Sequence, residues 1–269
     1  MRKFLLLILF LVSNLSFGQI ERLKGNWISE DNEMISIVEN LTKKSTLTSK
    51  TRNDDFYLEI ISDTLSFQSR YFTSSDDFKK MITDKYDLKI IKLNDSQLIV
   101  KPASKFSKNF FDSENAITLK NQEYITDKSF IFEKLVFHTS ACFGSCPEIN
   151  FMIDSVRNIK INANYFKDSS GIIIDKEKSG NFIGKLDNQL FNELTDLLIK
   201  AKISTINITD DSLCCDGMIK TIIVYHNGKR NYIETMFEPR ILGELISYLY
   251  DLPNKIKLTR VYDKFEFEK

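Results

Sequence analysis

Four cysteines and two histidines hold most of the reactive chemistry in this chain of 269 residues. Two cysteines fall in Ala141-Cys142-Phe143-Gly144-Ser145-Cys146-Pro147; the other two, Cys214 and Cys215, are adjacent. Thiols so placed can bond each other, shuttle electrons, hold a metal, or attack a substrate. A zinc site from all four is disfavoured, because adjacent residues cannot both reach one tetrahedral ion without awkward backbone. A cysteine nucleophile needs a base, and His138 and His226 are the only candidates. His138 ends a strand-like run just before Cys142, where a ring facing solvent is expected. His226 precedes an Asn-Gly turn and is expected to be exposed. Asp210, Asp211 and Asp216 flank the cysteine pair without the spacing of a calcium loop, so an acidic surface loop is expected. The chain has no phosphate-cradling glycine loop, no zincin histidine pair and no nucleophile elbow. No catalytic residue, metal ligand or cofactor is assigned, and the expectation is a protein that is not an enzyme.

The compartment decides what the thiols do. Residues 1–18 read as a secretory signal: Arg2 and Lys3 start it, Phe4 to Val12 form its apolar run, and Ser16-Phe17-Gly18 supplies small residues for cleavage before Gln19. The run is shorter than the roughly 20 residues that span a bilayer, so no transmembrane segment is expected after its removal. The expected location is periplasmic or secreted, where disulfides persist and an even cysteine count fits a disulfide framework. The 37 basic and 37 acidic residues cancel, which gives no electrostatic case for nucleic acid or an anionic membrane. A 42% hydrophobic content with 21 Phe and 10 Tyr allows a real core and tilts towards strand.

The first half, taken as residues 19–128, reads as a meander. Its only Trp stands in Leu23-Lys24-Gly25-Asn26-Trp27, before a turn at Asp31-Asn32. Strand-like runs follow at Met34–Val38, Phe56–Ile61, Thr64–Tyr71, Leu88–Leu93 and Gln97–Lys101. Asn94-Asp95-Ser96 joins the last two as a hairpin. The run Leu88–Leu93 alternates only if one face slips. Short helical turns are expected over Asp76–Ile82 and Phe106–Phe111, and a polar loop or hairpin tip over Lys43–Asn53. Gly25-x-Trp27 at the head of a meander resembles the small lipocalin-like domains of exported proteins. That resemblance implies a meander or partial barrel with Trp27 closing one end and a small apolar ligand inside; the segment is short for a full eight-stranded barrel. Small barrels are usually filled by side chains, so Trp27 is first read as a core residue.

The second half, residues 129–254, reads as an antiparallel sheet with two helices on one face, an α+β arrangement. Strands are expected at Phe130–His138, Glu148–Asp154, Asn158–Phe166, Lys178–Leu186, Met218–His226 and Lys229–Phe237. Asp187 should cap a helix whose Leu190, Leu194, Leu197, Leu198 and Ala201 form one stripe. Asn227-Gly228 is the strongest hairpin turn in the chain. Pro239 should open a second helix, with Leu242, Leu245 and Leu249 in its stripe, and Pro253 should stop it. Residues 255–269 read as a charged, weakly strand-like tail.

Cys142-Phe143-Gly144-Ser145-Cys146-Pro147, the aromatic-rich strand after it, Gly184-Lys185-Leu186 and the late hairpin and helix resemble an uncharacterised family of exported bacterial proteins, a domain of unknown function. The resemblance covers about residues 130–254 and implies a fold and an exported location, without an activity. Together with proximity it favours a Cys142–Cys146 bond, with Gly144 free to turn and Pro147 setting the exit direction. Chain entropy alone favours a long bridge from Cys142 to Cys214, about 4 kcal/mol against about 2 for the short loop, and residue types do not choose among the pairings. Cys214 and Cys215 could then bond each other or stay reduced. Cys-x-x-x-Cys-Pro also resembles thioredoxin-like copper-handling proteins of the periplasm. There the second cysteine opens a helix, whereas Glu148 to Ile153 alternates as a strand. The leading expectation is an exported binding or envelope-associated protein of no enzymatic activity. The alternatives are thiol redox or copper handling by Cys142 and Cys146 with His138, and apolar ligand binding by the first domain.

Overall fold

The computed structural model describes residues 21–38, 44–50, 52–206 and 216–268. The signal segment, Cys214, Cys215, Asp210 and Asp211 lie outside the described residues. Two compact units divide between Ile125 and Thr126.

The first unit is a closed antiparallel barrel. Its strands are β1 (Gly25–Ser29), β2 (Met34–Ile37), β3 (Ser45–Thr48), β4 (Asn53–Ile61), β5 (Thr64–Phe72), β6 (Met81–Leu93), β7 (Gln97–Pro102) and β8 (Ile117–Asn121). Closure comes from β1, which pairs with β2 on one side and with β8 on the other, Trp27 opposite Asn121. The expected meander is therefore complete. Inside it Trp27, Ile35, Leu47, Leu65, Phe67, Leu88, Leu98 and Val100 are each at most 0% exposed, so no water-sized space adjoins them. The Trp27 indole N–H donates to the Leu23 carbonyl at 2.7 Å, which satisfies its one polar atom in the core. The slip in β6 is real: the register with β7 shifts between Ile90 and Lys92, and Ile91 is turned outward as the extra residue.

Helix α1 (Lys105–Phe111) starts at Ser104, whose hydroxyl and that of Ser107 cap each other's amides. It lays Phe110 against Phe56 and Tyr86, at 6.0 and 5.9 Å between ring centres. Two expectations need correction. The turn expected over Asp76–Ile82 is a 3-10 turn at Ser74–Asp76 only, because Met81 and Ile82 pair across to Phe72 and Tyr71 as strand. The stretch Lys43–Asn53, expected as a loop or hairpin tip, is a tip only beyond Thr48, which pairs with Asn53; before it lies β3, whose Ser45 and Thr46 are buried between neighbouring strands despite being polar.

The second unit is a seven-stranded antiparallel sheet in the order β14-β13-β9-β10-β11-β12-β15. The strands are β9 (Phe132–Thr139), β10 (Glu148–Asp154), β11 (Asn158–Asn164), β12 (Gly180–Lys185), β13 (Lys220–His226), β14 (Lys229–Thr235) and β15 (Thr259–Val261). Period-2 alternation sends Leu135, Phe137, Ile149, Phe151, Ile153, Ile159, Ile161, Ile222 and Val224 to one buried face. Helices α2 (Asn188–Lys200) and α3 (Arg240–Lys255) cover that face. Tyr250 of α3 meets the Phe137 ring at 5.6 Å, and the Tyr248 hydroxyl donates to the Leu190 carbonyl of α2 at 2.6 Å. Asp187 caps α2 as expected, accepting from the Leu190 amide at 2.8 Å. Asn227 and Gly228 both have positive φ, 50° and 68°, as a tight hairpin turn between two strands requires.

The prolines act differently from expectation. Pro239 is the residue before α3, with extended backbone, and not part of its first turn. Pro253 does not stop the helix. It is buried in the last turn, where a missing amide forfeits one hydrogen bond, and the helix runs on to Lys255. The weakly strand-like tail supplies one short strand: Thr259–Val261 forms an edge strand on β12, Arg260 opposite Phe182.

Candidate functional site

The cysteine turn connects β9 to β10. Cys142 and Cys146 are bonded, with their Cα atoms 5.7 Å apart. Gly144 has φ +137°, a conformation open to glycine and strained for other residues. A second glycine presses on it: a Cβ on Gly171 would fall 2.1 Å from the Gly144 carbonyl oxygen. The backbone of the turn is further tied down on both sides. The Thr139 hydroxyl donates to the Pro147 carbonyl at 2.8 Å and accepts from the Ile149 amide at 2.7 Å. The Phe143 amide donates to the Asp216 carbonyl at 3.1 Å, and the Ser140 amide to the Ile219 carbonyl at 2.9 Å. Phe143 stands out from this pinned backbone at 88% exposed, and Ile172, next to Gly171 in the segment between β11 and β12, is 78% exposed.

The bond leads through Pro147 straight into strand β10, so Cys146 does not head a helix. No helix dipole lowers the energy of a thiolate there. His138 is not paired with the cysteines. Its ring faces the Asn150 side-chain amide at 2.9 Å on one nitrogen and the Glu268 carbonyl on the other. It is partly buried on the sheet and not a free strand-edge ring. The structure thus brings Cys142, Cys146, Gly144 and Pro147 together as one turn and leaves His138 in a different cluster.

His226 also departs from expectation. It is 2% exposed, stacks on Phe130 at 5.1 Å and meets the Asn231 side chain at 3.0 Å. It has the parity of Ile222 and Val224 on β13, so alternation carries it to the buried face, where it lies opposite Phe132. Among the described residues no group of acidic, histidine or cysteine side chains is placed to hold a metal ion.

A second cluster was not anticipated. It lies on the face of the sheet that the helices leave open. There Lys134 of β9, Tyr225 of β13 and Arg230 of β14 converge on one carboxylate, that of Glu268. The Tyr225 hydroxyl donates to its Oε1 at 2.6 Å, the Arg230 Nε to the same oxygen at 2.8 Å, and the Lys134 Nζ to its Oε2 at 3.0 Å. These donors hold the Glu268 carboxyl at about 2, well below its ordinary value, with the Tyr225 hydroxyl as the largest cause and Arg230 and Lys134 after it. The Lys134 ammonium also sits over the Tyr225 ring, 4.1 Å from its centre. The register explains the convergence: Tyr225 is opposite both Lys134 and Arg230, so the three stand in a row across adjacent strands. The alternation Phe265-Glu266-Phe267-Glu268 was the available signal in the sequence, inside a stretch read as charged and weakly strand-like.

A third feature is a shallow cleft of about 430 Å³ against α2, with Phe130, Phe132, Phe191 and Ile199 as its apolar lining. Its one carboxylate, Asp196, is engaged by Lys200 at 3.1 Å.

No helix among the described residues is long and apolar enough to cross a membrane. No curated protein and no solved structure matches the chain. Residues 133–253, from β9 to the last turn of α3 and including the bonded turn, match the family described as a domain of unknown function, DUF6438.

Proposed function

We infer that the protein is an exported binding or envelope-associated module without enzymatic activity, in which the sulfurs of Cys142 and Cys146 serve architecture. One observation carries the reading: the bonded pair closes a turn that enters a strand, with both cysteines engaged by each other and, among the described residues, no helix end or free histidine to activate either. The turn presents Phe143 on backbone closed by the bond, and Ile172 is exposed on the neighbouring segment where Gly171 packs against Gly144. Exposed apolar side chains on pre-organised backbone are how a protein offers a contact surface at low entropic cost.

The competing reading is thiol redox or copper handling. It requires a reactive thiolate at Cys142 or Cys146, and the strand after Pro147 supplies none of the stabilisation such a thiolate needs. Apolar ligand binding by the barrel would require space beside Trp27, which its neighbours occupy.

The test uses the full chain expressed with its leader in a bacterium that has a periplasm. Mass mapping is expected to find a mature chain starting at Gln19 and a Cys142–Cys146 cross-link that survives a glutathione buffer, with no turnover in an insulin-reduction assay. Replacing Phe143 and Ile172 by Ser should reduce co-sedimentation with the envelope fraction while leaving the circular dichroism unchanged. Reduced cysteines with measurable disulfide-exchange turnover would overturn the reading.

A further inference from the structure

The tail after β15 runs across the open face of the sheet. Phe265 lies under the Lys160 ammonium of β11, 5.7 Å from its ring centre, and Phe267 meets the His138 ring of β9 edge-on at 6.3 Å. Glu268 then reaches Tyr225 of β13 and Arg230 of β14. Seven extended residues span roughly 23 Å, about five strand spacings, which is the distance from the edge strand β15 to this cluster. Among the described residues, no backbone-to-backbone hydrogen bond ties residues 262–268 to the sheet. The segment is therefore held by side chains alone. Its aromatic rings lie over the strands, and its acid enters a socket of one phenol, one guanidinium and one ammonium. Tyr262, at the start of the segment, is 95% exposed. Such an attachment opens without breaking any sheet pairing.

A socket built from Lys134, Tyr225 and Arg230, with the His138 imidazole beside it for a backbone carbonyl, recognises a chemistry and not a particular chain. We propose that this face is a docking site for an extended segment of a partner protein in which aromatic and acidic residues alternate, and that Phe265–Glu268 occupies it in cis until such a segment displaces it. The inference stands on the socket itself and does not depend on export or on the cysteine turn. Cis occupancy sets the threshold for entry: a tethered competitor acts at an effective concentration on the order of mM, so a partner must add contacts along the face beyond those of the acid.

The experiment measures binding of a labelled peptide with the sequence of Tyr262–Glu268 to the full chain. In the Phe267→Ser/Glu268→Ala variant the socket is vacated, and the peptide should bind about ten-fold or more tighter than to the wild-type chain, where the tail competes. Glu268→Gln in the peptide, or Arg230→Ala in the vacated chain, should weaken that binding by about ten-fold, the loss of a charge-assisted hydrogen bond. Equal binding by wild-type and vacated chains, or binding indifferent to the peptide's acid, overturns the proposal. A second measurement leaves the tail sequence intact: in Arg230→Ala alone, trypsin should cleave after Lys264 several-fold faster than in wild type, and an unchanged rate overturns the socket. Sedimentation of the wild-type chain separates partner from self. A monomer supports a segment from another protein; a dimer abolished by Phe267→Ser/Glu268→Ala overturns it in favour of tail exchange between copies.

Discussion

In the barrel, β1 pairs with both β2 and β8, so every strand has two neighbours and no edge is left. In the second unit β14 and β15 each have one neighbour, and the sheet has two faces to cover. Closure removes the edge problem by geometry alone, and the barrel needs only side chains to fill it. The open sheet needs separate devices. Two helices take one face, the tail crosses the other, β15 is kept to three residues, and a disulfide with two glycines fixes the turn between β9 and β10. The difference shows why the features with functional potential gather in the second unit. Devices added to cover a surface are also devices that can uncover it.

The largest effects should come from the two cores. Phe67→Ala in the barrel should lower stability by about 3 to 5 kcal/mol, read by Trp27 fluorescence in a urea titration. Phe151→Ala in the sheet should do the same, read by far-ultraviolet circular dichroism. A loss below about 1 kcal/mol at Phe67 would mean that the barrel is not tightly packed and would end the contrast with a cavity-bearing barrel.

The pinned turn ranks next. Cys142→Ser with Cys146→Ser should remove about 2 kcal/mol, the value of a five-residue loop in the chain-entropy model. A loss comparable to a core truncation would show that the bond organises the sheet and does not merely hold one turn. The cap of α2 follows: Asp187→Ala should remove about 1 kcal/mol, since the Leu190 amide loses its partner. An unchanged urea midpoint would show that this end of the helix frays in any case.

Acid should act on the tail with the smallest effect on the whole fold. The Glu268 carboxyl is held at about 2 against an ordinary 4.5. A carboxyl depressed in the folded state adds stability above its unfolded value and loses that contribution as pH falls through the folded one. Tail docking should therefore be intact above about pH 4.5 and weaken progressively towards pH 2. Pepsin cleavage at Phe265 or Phe267 checks this across that range, with Glu268→Gln as the chain in which acid changes little beyond the protease's own profile. A wild-type cleavage profile identical to that of Glu268→Gln would remove the ionic clamp from the account.

Most strands were legible because their apolar residues alternate and their turns carry the right residues, as at Asn94-Asp95-Ser96 and Asn227-Gly228. Even the β6 bulge showed as a break in alternation. The missed strand β3, Ser45-Thr46-Leu47-Thr48, has one apolar residue, and its burial depends on strands that approach from either side. β8 was missed although Ile117-Thr118-Leu119-Lys120 alternates, because the run is only five residues long. The cysteine turn was legible as a motif; the burial of His226 was not, since its place beside the Asn-Gly turn pointed to exposure and the Phe130 ring that covers it comes from far away in the chain. Lys134, Tyr225 and Arg230 are ordinary strand residues until β13 lies between β9 and β14.

What the residues alone determined is local: alternation, the Asp187 cap, the tight turns and the closeness of Cys142 to Cys146, all set by interactions within a few positions along the chain. Only the tertiary structure decided that the meander closes and that a distant glutamate completes a cluster from three strands. Those outcomes depend on pairing between residues far apart in sequence, and no local pattern encodes which distant strand becomes a neighbour.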